Sequence, residues 1–131
     1  MRSVILISAA ALTVASCAQP GTPEGNNTAA FTRELAGRVA GRPQSCIGVM
    51  QGSPNLRVIN GQTLAYEQGT TTWVNHLRSR CPAIEPYNTV IVEPQLGTQY
   101  CSGDHIRGLE PSAIIPGPIC FLGEWVPYRK P

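Results

Sequence analysis

Four cysteines, Cys46, Cys81, Cys101 and Cys120, fall within the stretch that holds nearly all of the strand-like segments, and a fifth, Cys17, stands apart near the N-terminus. An even set of cysteines in a domain of about a hundred residues is better explained by two disulfides in an oxidising compartment than by free thiols. Zinc is disfavoured, because no two cysteines have C-x-x-C spacing and His76 and His105 are far from the three-to-five-residue separation of a ligand pair. No metal and no cofactor is therefore expected. Of the three pairings that four cysteines allow, the one expected joins Cys81 to Cys101, closing a loop across the segment around Val90, and Cys46 to Cys120, tying the domain's two ends.

The separation of Cys17 has its own explanation. Met1-Arg2 supplies a positive start, and Val4 to Ala15 is a run of apolar and small residues, too short for the roughly 20 residues of a membrane-spanning helix. Residues 1–17 read as a signal peptide. Its end, Val14-Ala15-Ser16-Cys17, resembles the lipobox of bacterial lipoproteins, in which the cysteine is lipidated and becomes the mature N-terminus. Ordinary cleavage after Ala18 is the alternative, and both readings export the chain. Ala18 in place of Asp after the cysteine directs the expectation to the outer membrane, with the domain in the periplasm.

Residues 18–30, AQPGTPEGNNTAA, lack apolar periodicity and read as a flexible tether, leaving 31–131 as a single β-rich domain. Phe31, Leu35 and Val39 recur every four residues, so a short helix is expected from Phe31 to Ala40, stopped by Gly41 and Pro43. Beyond it, Gly and Pro punctuate short segments, in a chain with 13 Gly and 12 Pro and only 14% charged residues. Strands are expected at Cys46–Met50, Leu56–Ile59, Thr63–Glu67, Thr71–Leu77, Thr89–Glu93, Tyr100–Leu109 and Ile119–Tyr128, with hairpin turns at Asn60-Gly61 and Gln68-Gly69. Val90 and Val92 on one face and Ile91 on the other suggest a strand covered on both sides. Gly123 inside the last strand reads as a bulge or a close backbone approach. About seven short strands point to a small disulfide-stapled barrel or curled antiparallel sheet, mainly β, with one short N-terminal helix.

Period-two alternation also orients the Thr71–Leu77 strand. If Trp73 and Leu77 face the core then so does Asn75, whereas an inward Val74 would bring His76 with it. Two large apolar residues outweigh one Val at roughly 1.5–3 kcal/mol of burial each. Asn75 is expected inside, in a structural role with backbone partners, and His76 outside.

The succession Cys46-Ile47, Asn60 to Tyr66, Trp73-Val74-Asn75-His76-Leu77 with Cys81-Pro82, Gln99-Tyr100-Cys101 with Asp104 and Ile106, and Cys120-x-Leu122-Gly123-x-Trp125-x-Pro127 is similar to a family of small exported proteobacterial proteins of unknown function. The likeness covers Cys46 to Pro127. It implies a four-cysteine β domain in the envelope and carries no activity, substrate or catalytic residue. Trp73 and Tyr100 stand where the family's pattern has Tyr and Leu, changes that keep a large apolar side chain.

Charge and motif content narrow the function classes. Ten basic residues oppose eight acidic, and only Arg2 lies within 1–17, so the mature chain carries about +1. Nucleic-acid binding needs a basic stripe with several phosphate contacts, and the nearest approach, His76, Arg78 and Arg80, reads as a solvated strand end. A hydrolase needs a nucleophile with a base. The chain has no G-x-S-x-G, and Asp104 and His105, being adjacent, face opposite ways on a strand. The expectation is a non-enzymatic envelope module anchored to the membrane by lipidated Cys17, with an envelope protein as partner. The alternative is a small-ligand module whose pocket is lined by Trp73, Trp125 and Arg107 at a barrel mouth.

Overall fold

Thr22 and Pro23 open the first element of the structure, a computed structural model that describes residues 22–50 and 55–131. The expected signal peptide with Cys17, and residues 18–21 of the expected tether, lie outside the described residues. Helix α1 spans Pro23–Leu35. Thr22 is extended and its hydroxyl accepts the N–H of Gly25 at 3.2 Å, while proline in the first turn has no N–H to leave unpaired. The helix thus occupies most of the stretch expected to be tether and stops five residues short of the expected end at Ala40. Residues 25–28, GNNT, carry no apolar stripe, and the helix is held there by long-range contacts: Glu24 to Arg80, and the Asn60 amide to the Thr28 hydroxyl. Gly37, at φ 76°, turns the chain out of the helix, and Val39 is exposed on a strand rather than on a helical stripe.

The strands follow as β1 Val39–Ala40, β2 Cys46–Gly48, β3 Leu56–Asn60, β4 Thr63–Gln68, β5 Thr71–His76, β6 Thr89–Glu93, β7 Gln99–Cys101, β8 His105–Leu109, β9 Cys120–Phe121 and β10 Trp125–Arg129. Every pairing among the described residues is antiparallel. The strands form three sheets, ordered β1-β10-β5-β4-β3, β2-β7 and β6-β8-β9. The mainly β class is as expected, but the sheets do not close into a barrel. Turns at Gly103 and at Gly123 break the two longest expected strands into β7 with β8 and β9 with β10, and each half joins a different sheet.

Two faces of the five-stranded sheet are covered. Leu64, Tyr66, Trp73, Asn75 and Trp125 face the two smaller sheets, across Ile47, Ile106, Cys120 and Leu122. On the opposite face Ile59, Ala65 and Val74 lie under Phe31 and Leu35 of α1. Leu64, Ile84, Ile106, Leu122 and Trp125 are fully buried, each contributing roughly 1.5–3 kcal/mol. The Gly123 break shifts the inward phase. Cys120 and Leu122 point in before it and Trp125 and Pro127 after it, while Ile119 and Phe121 are turned to solvent.

The disulfides are Cys46–Cys101 and Cys81–Cys120, which replaces the expected pairing. Cys46 and Cys101 are direct partners in the β2–β7 ladder. Cys81 follows β5 on a loop whose N–H is held by the Gly61 carbonyl, and that loop sets it against β9. The terminal strands are neighbours, through β1 and β10. Cys46 lies in a different sheet from Cys120, and its sulfur is bonded to the Cys101 opposite it. The β6 strand, expected to be covered on both sides, is an edge of its sheet, with Val90, Ile91 and Val92 all half-buried.

Candidate functional site

Asn75 and Gly123 meet in the interior. The Asn75 Nδ2 donates to the Gly123 carbonyl at 2.8 Å, and the Gly123 N–H donates to Asn75 Oδ1 at 3.0 Å. His76 is exposed, with its Nδ1 3.3 Å from the Thr63 hydroxyl. Asp104 is buried and accepts the N–H groups of Cys101 at 2.7 Å and Gln95 at 3.2 Å. Its carboxylate braces the β7–β8 turn. His105 lies on the outward face of β8, 3.7 Å from Glu93 and edge-on to Phe121. Asp104 and His105 are therefore not brought together.

The expected pocket of Trp73, Trp125 and Arg107 does not form. Both tryptophans are core residues, Trp125 at 0% and Trp73 at 6% exposure, and the Trp73 indole N–H bonds Gln68 Oε1 at 3.2 Å. Arg107 is on the solvent side of β8, opposite Ile106, and its guanidinium sits 3.6 Å from Glu93. Of the basic strand end, Arg80 is spent on Glu24 at 2.7 Å and Arg78 reaches the Ser102 hydroxyl at 3.5 Å. Among the described residues no group of three or more His, Cys, Asp or Glu could hold a metal ion.

The openings in the surface gather instead around Pro86. Three cavities, of about 230, 280 and 400 Å³, share it as a wall. The largest lies between β3, through Leu56, Arg57 and Val58, and the start of β6, through Thr89 and Val90, with Tyr100 at its base. Both strands are edges. The Asn55 carbonyl accepts the Glu67 N–H, so by antiparallel alternation Arg57 also turns its main chain to β4 while Leu56 and Val58 turn theirs outward. On the other side, the Asp104 and Gly108 carbonyls accept N–H groups from Leu122 and Gly117 on the β9 side. The odd residues of β8 are left to bond β6, and the N–H and C=O groups of Val90 and Val92 point to the edge. No hydrogen bond among the described residues occupies these outward groups.

The charges here are fixed. Burial opposes the Arg57 charge, but its bonds to Glu34 and Glu67 outweigh it and raise the pKa further, so the guanidinium stays charged, stacked over Phe31 at 5.4 Å. Burial, with the nearby Tyr66, pushes the Tyr100 phenol up. The cavity thus offers half-buried apolar side chains, Leu56, Val58, Val90 and Tyr100, between two rows of main-chain donors and acceptors. Sequence patterns identified both strands but gave no sign that they are edges, since edge or centre is decided by pairing with distant segments. Comparison with family models, with curated proteins and with solved structures finds no match to this chain.

Proposed function

We propose that the protein is a non-enzymatic module of the cell envelope, anchored to the outer membrane through lipidated Cys17, that binds an extended segment of a partner polypeptide between β3 and β6. The observation that carries this reading is the pair of open strand edges flanking one cavity. An added strand bonds through its main chain to an edge and places alternate side chains into pockets. Half-buried Leu56, Val58, Val90 and Tyr100 would take apolar side chains. The two disulfides fit an oxidising compartment, and no described helix is long and apolar enough to cross a membrane. A lipid on Cys17 would supply the attachment.

Photo-crosslinking in intact cells tests the binding. A crosslinker at Thr89, in the cavity wall, should give a discrete adduct, and one at Thr70, in the β4–β5 turn and outside the cavity lining, should give none. Val58→Pro removes an outward N–H without breaking a bond to β4, so it should abolish the adduct and keep both disulfides. Equal adducts from the two positions, or an adduct indifferent to Val58→Pro, would refute edge binding. Anchoring is tested separately: Cys17→Ser should end palmitate incorporation and release the protein from membranes, and equal partitioning of the two forms would refute it.

A further inference from the structure

Because α1 begins at Pro23, the leash to the membrane is short. Five residue steps separate Cys17 from Thr22, and a fully extended chain spans at most about 17 Å over that length. Acyl chains on Cys17 would hold one end of the molecule close to the bilayer, and contacts identify what else lies at that end. Glu24 binds Arg80 and the Gly61 N–H, and Thr22 and Glu24 share a cavity wall with Glu85, Pro86 and Tyr87. In the same loop, the Ala83 backbone packs against Gly108 and its methyl against Gly117, at the root of the loop from Glu110 to Pro118. That loop carries Ile114 at 94% and Ile115 at 77% exposure, and Tyr87 is exposed at 77%.

We propose that Ile114 and Ile115, with Tyr87 of the loop that packs against theirs through Ala83, insert into the bilayer that holds Cys17 and fix the domain in one orientation on it. The inference rests on the anchoring proposed above. Two consecutive isoleucines at a loop tip are an apolar projection suited to a lipid surface, and tyrosine is a residue of the membrane–water interface. Tethering raises the local concentration of the loop at the membrane, so a contact too weak to form from solution becomes populated. Glu85 and Glu110 flank the tips and Arg80 is committed to Glu24. Attraction to anionic headgroups is therefore not the driving force, and the contact should form on zwitterionic lipid and resist salt.

The test uses the full acylated protein in phosphatidylcholine vesicles with brominated acyl chains. Tryptophan is introduced by Ile115→Trp or, as a control, by Leu96→Trp. Leu96 is exposed but follows the far end of β6, and emission from buried Trp73 and Trp125 is subtracted using the unsubstituted protein. The expected result is quenching several-fold stronger at position 115 than at 96, unchanged by salt and lost when Ile114→Asp is added without a change in melting temperature. Equal quenching at the two positions in protein that floats with the vesicles would overturn the inference and leave the anchor standing. Protein that does not float would overturn the anchor and the inference with it.

Discussion

The Asn75 side chain pairs with the main chain of Gly123 as one peptide group pairs with another, one bond in each direction at 2.8 and 3.0 Å. Gly123 lies where the chain passes from β9 into β10, and a Cβ there would collide with the His76 carbonyl oxygen. The side-chain amide satisfies a buried N–H and C=O at the point where the sheet changes. That allows Cys120 and Leu122 on one side of the break, and Trp125 on the other, to reach the same core.

Asn75→Leu should therefore cost about 1–3 kcal/mol, because it strands both Gly123 groups without partners in the interior. His76→Gln, at an exposed ring touching only the Thr63 hydroxyl, should cost a few tenths at most. Urea unfolding of the two variants checks the order. A larger loss from His76→Gln would mean that β5 presents its other face to the core.

A glycine series separates steric from conformational demand. At Gly108 a Cβ would land on the Ala83 carbonyl, so Gly108→Ala should lose about 3 kcal/mol or more, or fail to fold. At Gly69 there is open space but φ is 59°, and alanine should cost about 1–2 kcal/mol. Gly48 has neither constraint, so Gly48→Ala should be neutral or stabilising by up to about 1 kcal/mol. Melting temperatures ranked in any other order would refute these assignments.

What was legible in the sequence was local. Thr71–His76 and Thr89–Glu93 emerge from their β-branched alternation, and the β4–β5 hairpin from Gln68-Gly69, where Gly69 adopts the positive φ that the turn requires. The β3–β4 turn falls one residue beyond Asn60-Gly61, with the Asn60 side chain accepting the Gln62 N–H. The start of α1 was hidden because Glu24 and Thr28 are secured by Arg80 and Asn60, more than 30 residues away. Cys46 and Cys101 are 55 residues apart, and only the β2–β7 pairing makes them opposite. The candidate binding edges were unreadable for the same reason, whereas Ile114-Ile115 inside a Pro- and Gly-rich loop was a signal present in the sequence.

Glu24 makes the docking of α1 sensitive to acid. Its bond to Arg80, reinforced by the Gly61 N–H, holds its carboxyl below the usual carboxylate range. The unfolded chain then binds the proton more readily than the folded one, so this contribution is present above the unfolded pKa and is lost as pH falls through the folded value. As a surface pair it is worth under about 1 kcal/mol and should weaken with salt. Melting temperatures of wild type and Glu24→Gln should differ at neutral pH and converge in acid. A gap that widens on acidification would contradict the sign.

The disulfide pairing can be read by peptide mapping only if Cys81 is cut away from Cys101. No Arg or Lys lies between them before Arg107, so trypsin leaves both on one peptide, and chymotryptic cleavage after Tyr87 is needed to divide them. Under non-reducing conditions the fragment with Cys46 should carry the one with Cys101, and Cys81 should carry Cys120. The two bridges span 55 and 39 residues. By loop-closure entropy their contributions, about 2–4 kcal/mol each, should differ by only a few tenths. Burial decides between them: Cys81 and Cys120 are in the core, while Cys46 and Cys101 are half-buried. The double substitution Cys81→Ala with Cys120→Ala should therefore destabilise more than Cys46→Ala with Cys101→Ala, despite closing the shorter loop. Urea unfolding of the two double variants decides it, and the reverse order would mean that loop length rather than burial governs these bridges.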